Sequence, residues 1–209
     1  MSFMVSACDT GTKIDSKKVA EEMRSRKIMH LNQAQITEAA FQEGKTLTDW
    51  LDNRLVRQLQ VADSTDIVHW ASHCTTKALS ADSLQKAYSV SIQRVALRTD
   101  AKRLQGNDKA LQVWDAYRYN DENKLPMEPN VQRDGTTALL YSRPILLSQA
   151  TCLKCHGVVG KDLTTGNFQK LKSVYPAMDS LVANAPGQTI GVWNLLFDKA
   201  RMIQRMKVK

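Results

Sequence analysis

The sequence predicts an α+β domain, in which helical stretches and strand-like runs follow one another along the chain. Three observations predict it: an apolar stripe at helical spacing from Gln33, two strand-like runs joined at Asp134-Gly135, and a nearly continuous apolar run from Gly187 to Phe197. A chain of 209 residues suits one domain with an added segment. No run reaches the length of a membrane-spanning helix.

Residues 1–30 are read as a shortened lipoprotein signal and linker. Val5-Ser6-Ala7-Cys8-Asp9 resembles a lipobox, preceded only by Met1-Ser2-Phe3-Met4, and in such signals the cysteine is lipidated. Attachment to a membrane through lipidated Cys8 follows as an expectation, because two acyl chains anchor without a spanning helix. The domain proper is expected over residues 31–200, followed by a basic tail at 201–209.

From Gln33, the residues Ile36, Ala40, Leu47, Leu51, Leu55 and Leu59 recur mostly at four-residue intervals, one face of a helix that Gly44 interrupts. After a polar break at 62–66, a second helix is expected from Ile67 to Ala78, with Ile67, Trp70, Cys74 and Ala78 along its inner stripe. Val90 to Arg98 reads as a strand, and a helix through Leu111, Trp114 and Tyr117 follows the turn at Gly106-Asn107-Asp108. Residues 120–129 are expected as loop. Strands at 131–133 and 137–145 form the hairpin, with Pro144 at an edge or beyond the ladder. A loop is expected from Gly157 to Val174, a helical turn near Met178, a central strand from Gly187 to Phe197, and a short amphipathic tail.

The formal charge of +8 reflects 29 basic against 21 acidic residues, and the basic ones are scattered among acids. No nucleic-acid motif accompanies them, so no nucleic-acid partner is expected. No Ser-His-Asp pattern or paired-carboxylate site stands out, and no catalytic residue is assigned.

The most informative stretch is Cys152-Leu153-Lys154-Cys155-His156. Residues at i and i+3 share a helix face, so two thiols at this spacing can reach neighbouring edges of one porphyrin while the next residue turns toward its iron. CxxCH is the attachment signature of a covalently attached haem c, with His156 as the proximal metal ligand. A thioredoxin-like pair would want a βαβ setting that is missing here, and a structural zinc site would want ligand pairs from two segments. With four cysteines in the chain, only Cys8 and Cys74 could complete such a zinc site.

A second axial ligand has several candidates. Cys74 lies on the inner stripe of the second helix; His69 and His73 share an adjoining face; Met127 and Met178 are thioethers elsewhere. Spacing does not choose among them. His30 reads as a surface histidine.

Taken together, Cys74-Thr75-Thr76-Lys77-Ala78, Arg98-Thr99, Trp114, Tyr141-Ser142-Arg143-Pro144-Ile145, Cys152 to Gly157, Tyr175-Pro176 and Gly187-Gln188-Thr189-Ile190-Gly191 occur in an order that resembles the Tll0287-like haem domains of bacteria. The resemblance covers about Thr37 to Phe197. It departs from the family at Leu104-Gln105-Gly106, where Arg-Asn-Pro is usual, and at Gly187-Gln188, where Gly-Asp is usual. It implies a PAS-like antiparallel sheet of about five strands with N-terminal helices packed against it. It also implies histidine and cysteine as the two iron ligands, here His156 and Cys74.

Arg98 and Arg143 are further cofactor-binding candidates, as partners for haem propionates. The expected function is a c-type haem-binding redox or diatomic-gas sensor in the periplasm or cell envelope. Such a domain would pass its signal to a separate signalling or electron-transfer protein. The alternative is a small electron-transfer cytochrome c.

Overall fold

The computed structural model describes residues 15–18, 32–63, 65–98, 104–147, 149–182 and 184–208. It divides into two compact units, Met1–Leu31 and Asn32–Lys209. In the first, Asp15 opens a helical turn at residues 16–18, its carboxylate accepting the Lys17 and Lys18 amides. The expected lipobox with Cys8, and His30, lie outside the described residues. No helix among the described residues is long and apolar enough to cross a membrane.

The second unit begins with α1, Gln33–Val61. Asn32 and Gln35 form a reciprocal cap: each side chain accepts from the other's backbone N–H, at 2.8 and 2.9 Å. The four-residue stripe is real, with Ile36, Ala40, Leu47, Leu51 and Leu59 buried. Gly44 does not interrupt the helix. A Cβ there would overlap the ring of Tyr141, so glycine is what lets that ring lie against the helix backbone. In an exposed helix Gly→Ala gains about 1 kcal/mol; at Gly44 the overlap costs about 1–3 kcal/mol. Gly44→Ala is therefore expected to lower stability in urea unfolding, against propensity.

Helix α2, Ile67–Ser72, is capped by Asp66, whose carboxylate accepts the Val68 and His69 amides. Trp70 is buried and donates its indole N–H to the Leu59 carbonyl, tying α2 to α1. The helix ends at Ser72, short of the expected Ala78. Cys74 and Thr75 continue in tighter i→i−3 bonds to Ala71 and Ser72, and the Thr75 hydroxyl captures the Ala78 amide. That local side-chain bond competes with the helical ladder. The chain then turns through Ser80, at φ 58°, into α3, Ala81–Tyr88, a helix not foreseen from the sequence.

Four antiparallel strands follow among the described residues: β1 Val90–Ala96, β2 Asn130–Asp134, β3 Ala138–Leu146 and β4 Thr189–Asp198. They are ordered β1-β4-β3-β2, four where about five were expected. Pro144 sits opposite Val192 of β4 but beyond the last β2 pair, Asn130 with Ser142, so β3 has only one neighbour there.

Helix α4, Asp108–Glu122, covers one sheet face, packing Trp114 and Tyr117 against Val95, Leu140 and Val192. The other face carries Ile92, Leu195 and Tyr141 in one row and Arg94, Trp193 and Arg143 in the next. Near Tyr141 and Trp193 that face lies under α1. After β3 come a 3₁₀ turn at Ala150–Cys152 and the short α5, Leu153–His156. The segment expected as loop contains α6, Thr165–Val174, capped by Thr164 and anchored by the buried Leu171. A second 3₁₀ turn, Pro176–Ser180, precedes β4. The basic tail is α7, Lys199–Val208. It buries Met202, and Arg205 reaches Glu43 at 2.7 Å and the Tyr88 carbonyl at 2.7 Å.

Candidate metal centre

The sheet face opposite α4 opens, beside α1, into a cavity of about 700 Å³. Its floor is the strand row of Ala96, Gly191 and Ile145 together with Ile92 and Arg94. The walls are the turn holding Cys74, the end of α5 with Cys155 and His156, and the segment Tyr175–Met178 with Leu181. The volume is in the range of cofactor pockets, which are mostly apolar with few polar groups. Gly191 is required by the floor: a Cβ would stand 2.7 Å from the Val95 carbonyl oxygen.

The segment leading into β4 holds His156. Its Nδ1 lies 3.0 Å from the Leu181 carbonyl oxygen. A carbonyl can only accept, so Nδ1 carries the proton and Nε2 keeps its lone pair. This is the outer-shell bond that orients an imidazole ligand toward a metal. Burial lowers the pKa of His156, with Arg94 adding to that and the Leu181 bond opposing it; the ring is thereby kept neutral, the form a metal takes.

Asn184 completes the brace. It is 3 % exposed, and its amide donates to the Leu181 carbonyl at 2.8 Å and to the His156 carbonyl at 3.1 Å. Its own backbone N–H donates to the His156 carbonyl at 3.0 Å. Asn184→Ala is expected to remove one of two donors from each of the Leu181 and His156 carbonyls, the loss of two hydrogen bonds, costing about 1–3 kcal/mol in urea unfolding.

Gly157, directly after the motif, is held to glycine by its surroundings: a Cβ would be 2.5 Å from the Asp162 Cβ and 2.6 Å from the Leu153 carbonyl oxygen. Asp162 is there because its carboxylate accepts the Val158 amide at 2.9 Å, closing the turn behind His156. Lys154, between the two thiols, lies over the Trp70 ring at 5.6 Å. Contact therefore runs from the motif to α2.

Cys155 is buried, while Cys74 and Cys152 are half-buried, and all three are free thiols. Burial pushes Cys155 up to about 12, and the neighbouring Cys74 and Cys152 push the same way. Burial also raises Cys152 and Cys74, with Arg94 pulling both back. None of the three is set up as the low-pKa thiolate of a redox pair. Among the described residues no three His, Cys, Asp or Glu side chains gather to hold a metal ion.

Of the five axial candidates, the structure brings Cys74 and Met178 to the cavity with His156. Met178 belongs to the His156 side, since the Leu181 amide donates to its carbonyl while the Leu181 carbonyl holds the histidine. Met127 packs on the opposite sheet face with the α4 cluster. His69 and His73 face each other, ring centroids 5.2 Å apart, away from the cavity lining.

Neither arginine singled out from the sequence lines the cavity. Arg98 is exposed at the end of β1. Arg143 turns to α1, pairing with Asp49 at 2.5 Å and Asp52 at 3.2 Å. Asp52 also accepts the Trp193 indole N–H at 3.0 Å. Arg143→Ala is expected to cost about 1–2 kcal/mol, discounted for its partial exposure, and to leave cofactor loading unchanged in an absorbance assay. The arginine that does line the cavity, Arg94, was missed. Its alternation with Ile92 and Ala96 on one strand face was the available signal.

A family model described as Tll0287-like matches residues 15–195. The chain belongs to the Tll0287-like family. Among solved structures, one described as the crystal structure of the cyanobacterial heme-protein Tll0287 is similar at 18% identity and a TM-score of 0.49, covering 75% of this chain and 94% of that one. No curated protein matches. In this Tll0287-like chain the donor set fits an iron porphyrin: a neutral imidazole with Nε2 free, Cys155 and Cys74 on the cavity wall, and Cys152 one helical turn from Cys155 at the adjoining recess.

Proposed function

We propose that this chain is a c-type haem-binding redox or diatomic-gas sensor domain acting outside the cytoplasm. The observation that carries the reading is the imidazole of His156, tied through Nδ1 to the Leu181 carbonyl in a cavity that Cys74 also lines. Cys152 and Cys155 would hold the porphyrin covalently, and His156 and Cys74 would be its axial ligands. The bound group supplies a one-electron iron centre, and a thiolate donor makes its potential low.

The protein's own contribution is placement. Leu181 and Asn184 keep the imidazole in one tautomer and orientation. The apolar floor of Ile92, Ala96 and Ile145 keeps water from the porphyrin face. The two donors differ in how they are held: the His156 ring itself is tied through Nδ1–H to the Leu181 carbonyl, whereas Cys74 is held through its backbone in the turn after α2. A thiol fixed only through its backbone can swing away on reduction, which favours a sensor over a carrier whose ligands must stay in place. We read the sheet with its flanking helices as PAS-like, the envelope as the working compartment, and a separate signalling protein as the partner.

The test is production with a haem c maturation system in the periplasm, followed by pyridine haemochrome spectra. Colour that stays with the polypeptide in acidified acetone is expected, and complete extraction would count against the proposal. A ferrous form that takes up CO supports sensing. Rapid reversible electron exchange with no CO uptake would favour an electron-transfer cytochrome.

A further inference from the structure

We propose that Arg94 is the positioning residue for Cys74, clamping the turn that carries this thiol at the cavity wall; the assignment rests on the haem-binding reading above. Strand register puts Arg94 on the cavity side of the sheet, beside Trp193, with Arg143 next across. Two arginines in one row of a largely covered sheet face need partners, because burying a guanidinium without them is costly. The structure supplies them differently. Arg143 is occupied by Asp49 and Asp52 of α1. Arg94 donates from Nη1 to the backbone carbonyl of Cys74 at 2.6 Å, across twenty positions of sequence.

That carbonyl is available because α2 has already ended. In a continued helix it would accept the Ala78 amide, but the Thr75 hydroxyl takes that amide, while the carbonyls of Thr75, Thr76 and Lys77 are met by amides within the turn. Arg94 lies opposite, on β1, which pairs along its length with β4. A charge-assisted bond to the backbone of residue 74 fixes where its Cα stands, and so how far Sγ reaches into the cavity.

A second observation points the same way. Beside the main cavity is a recess of about 80 Å³, also lined by Arg94, together with Asp52, Cys74 and Cys152. Arg94 is therefore common to both spaces that border Cys74. Its positive charge also favours negative charge on a nearby sulfur, in a region shielded from bulk water. The clamp and the charge separate experimentally: lysine keeps the charge with a shorter, single donor, and glutamine keeps a donor without the charge.

The test uses the full chain matured with covalent haem, as R94A, R94K and R94Q beside wild type and C74A. Haemochrome spectra check loading, circular dichroism checks folding, and ferric electron paramagnetic resonance with ferrous CO uptake reads the Cys74 ligand. Covalent haem is expected to remain in all variants. In R94A the thiolate-type ferric signal is expected to be lost, giving spectra like those of C74A, and R94K is expected to recover part of it.

Wild-type spectra in R94A and R94Q, with loading intact, would overturn the assignment of Arg94 alone. Should R94A fail to fold, R94M, which keeps the aliphatic stem and has no donor, decides: a diminished thiolate signal supports the clamp, an undiminished one overturns it. Identical spectra for C74A and wild type would instead remove Cys74 as a ligand, and the role of Arg94 with it.

Discussion

Replacing Cys152 and Cys155 together by alanine is expected to release all pigment from the matured chain into acidified acetone, while wild type retains it. Each thiol supplies one bond to the porphyrin edge, and no other described cysteine stands at the motif: Cys74 lies in the turn after α2. Single variants keep one bond, so they are expected to retain colour with a shifted haemochrome band. The fold should survive, because Cys152 is half-buried and a cysteine behaves as a small hydrophobe. Truncating the buried Cys155 leaves a small cavity, costing on the order of 1 kcal/mol. Circular dichroism of the apo forms separates loss of attachment from loss of structure. Retention of colour by the double variant would show attachment elsewhere.

The second large effect is expected in C74A. Here covalent attachment is untouched, since Cys152, Cys155 and His156 are unchanged, and the haemochrome spectrum should equal that of wild type. What should disappear is the thiolate character of the ferric spectrum, together with a rise in reduction potential, because thiolate donation stabilises the oxidised metal. Ferrous C74A should take up CO without delay. Met178, the other donor candidate on the cavity wall, is tied to the same loop as His156. M178L is therefore expected to leave the ferric spectrum as in wild type. A C74A protein with an unaltered ferric spectrum, or an M178L protein that alone loses its low-spin signal, would exchange their assignments.

The contrast between these two variants reflects how the site was legible. Cys152, Cys155 and His156 are contiguous, and their chemistry depends on spacing within a single helical turn, so local sequence carries it. Cys74 is different. An apolar-stripe reading put it on the inner face of a helix extending to Ala78, yet the helix ends at Ser72, tighter bonds follow it, and the Thr75 hydroxyl captures the Ala78 amide. Cys74 lines the cavity all the same, its backbone carbonyl accepting a bond from Arg94 of another element.

The arginines show the opposite case. Arg98 and Arg143 stood out as cations near family motifs, but position in the chain says nothing about which face of a sheet is open. Arg143 is on the cavity side of the sheet and still turns away, because Asp49 and Asp52 on α1 are nearer partners. Gly44 is misread for a related reason: propensity marks it as a weak point, whereas the Tyr141 ring, ninety-seven positions later, makes it a packing site.

What the sequence by itself determined is whatever a single element can encode: the amphipathic length of α1, the hairpin of β2 and β3, the apolar β4, and the two thiols and imidazole that point to haem. What only the tertiary structure decided is which distant groups complete them: Leu181 and Asn184 behind His156, Asp162 against Gly157, and Arg94 on the turn of Cys74. The physical reason is range. Helix period and motif spacing act over a few residues, while the partner of a buried carbonyl or guanidinium is set by strand register and by which competing charge lies closest once the layers have packed.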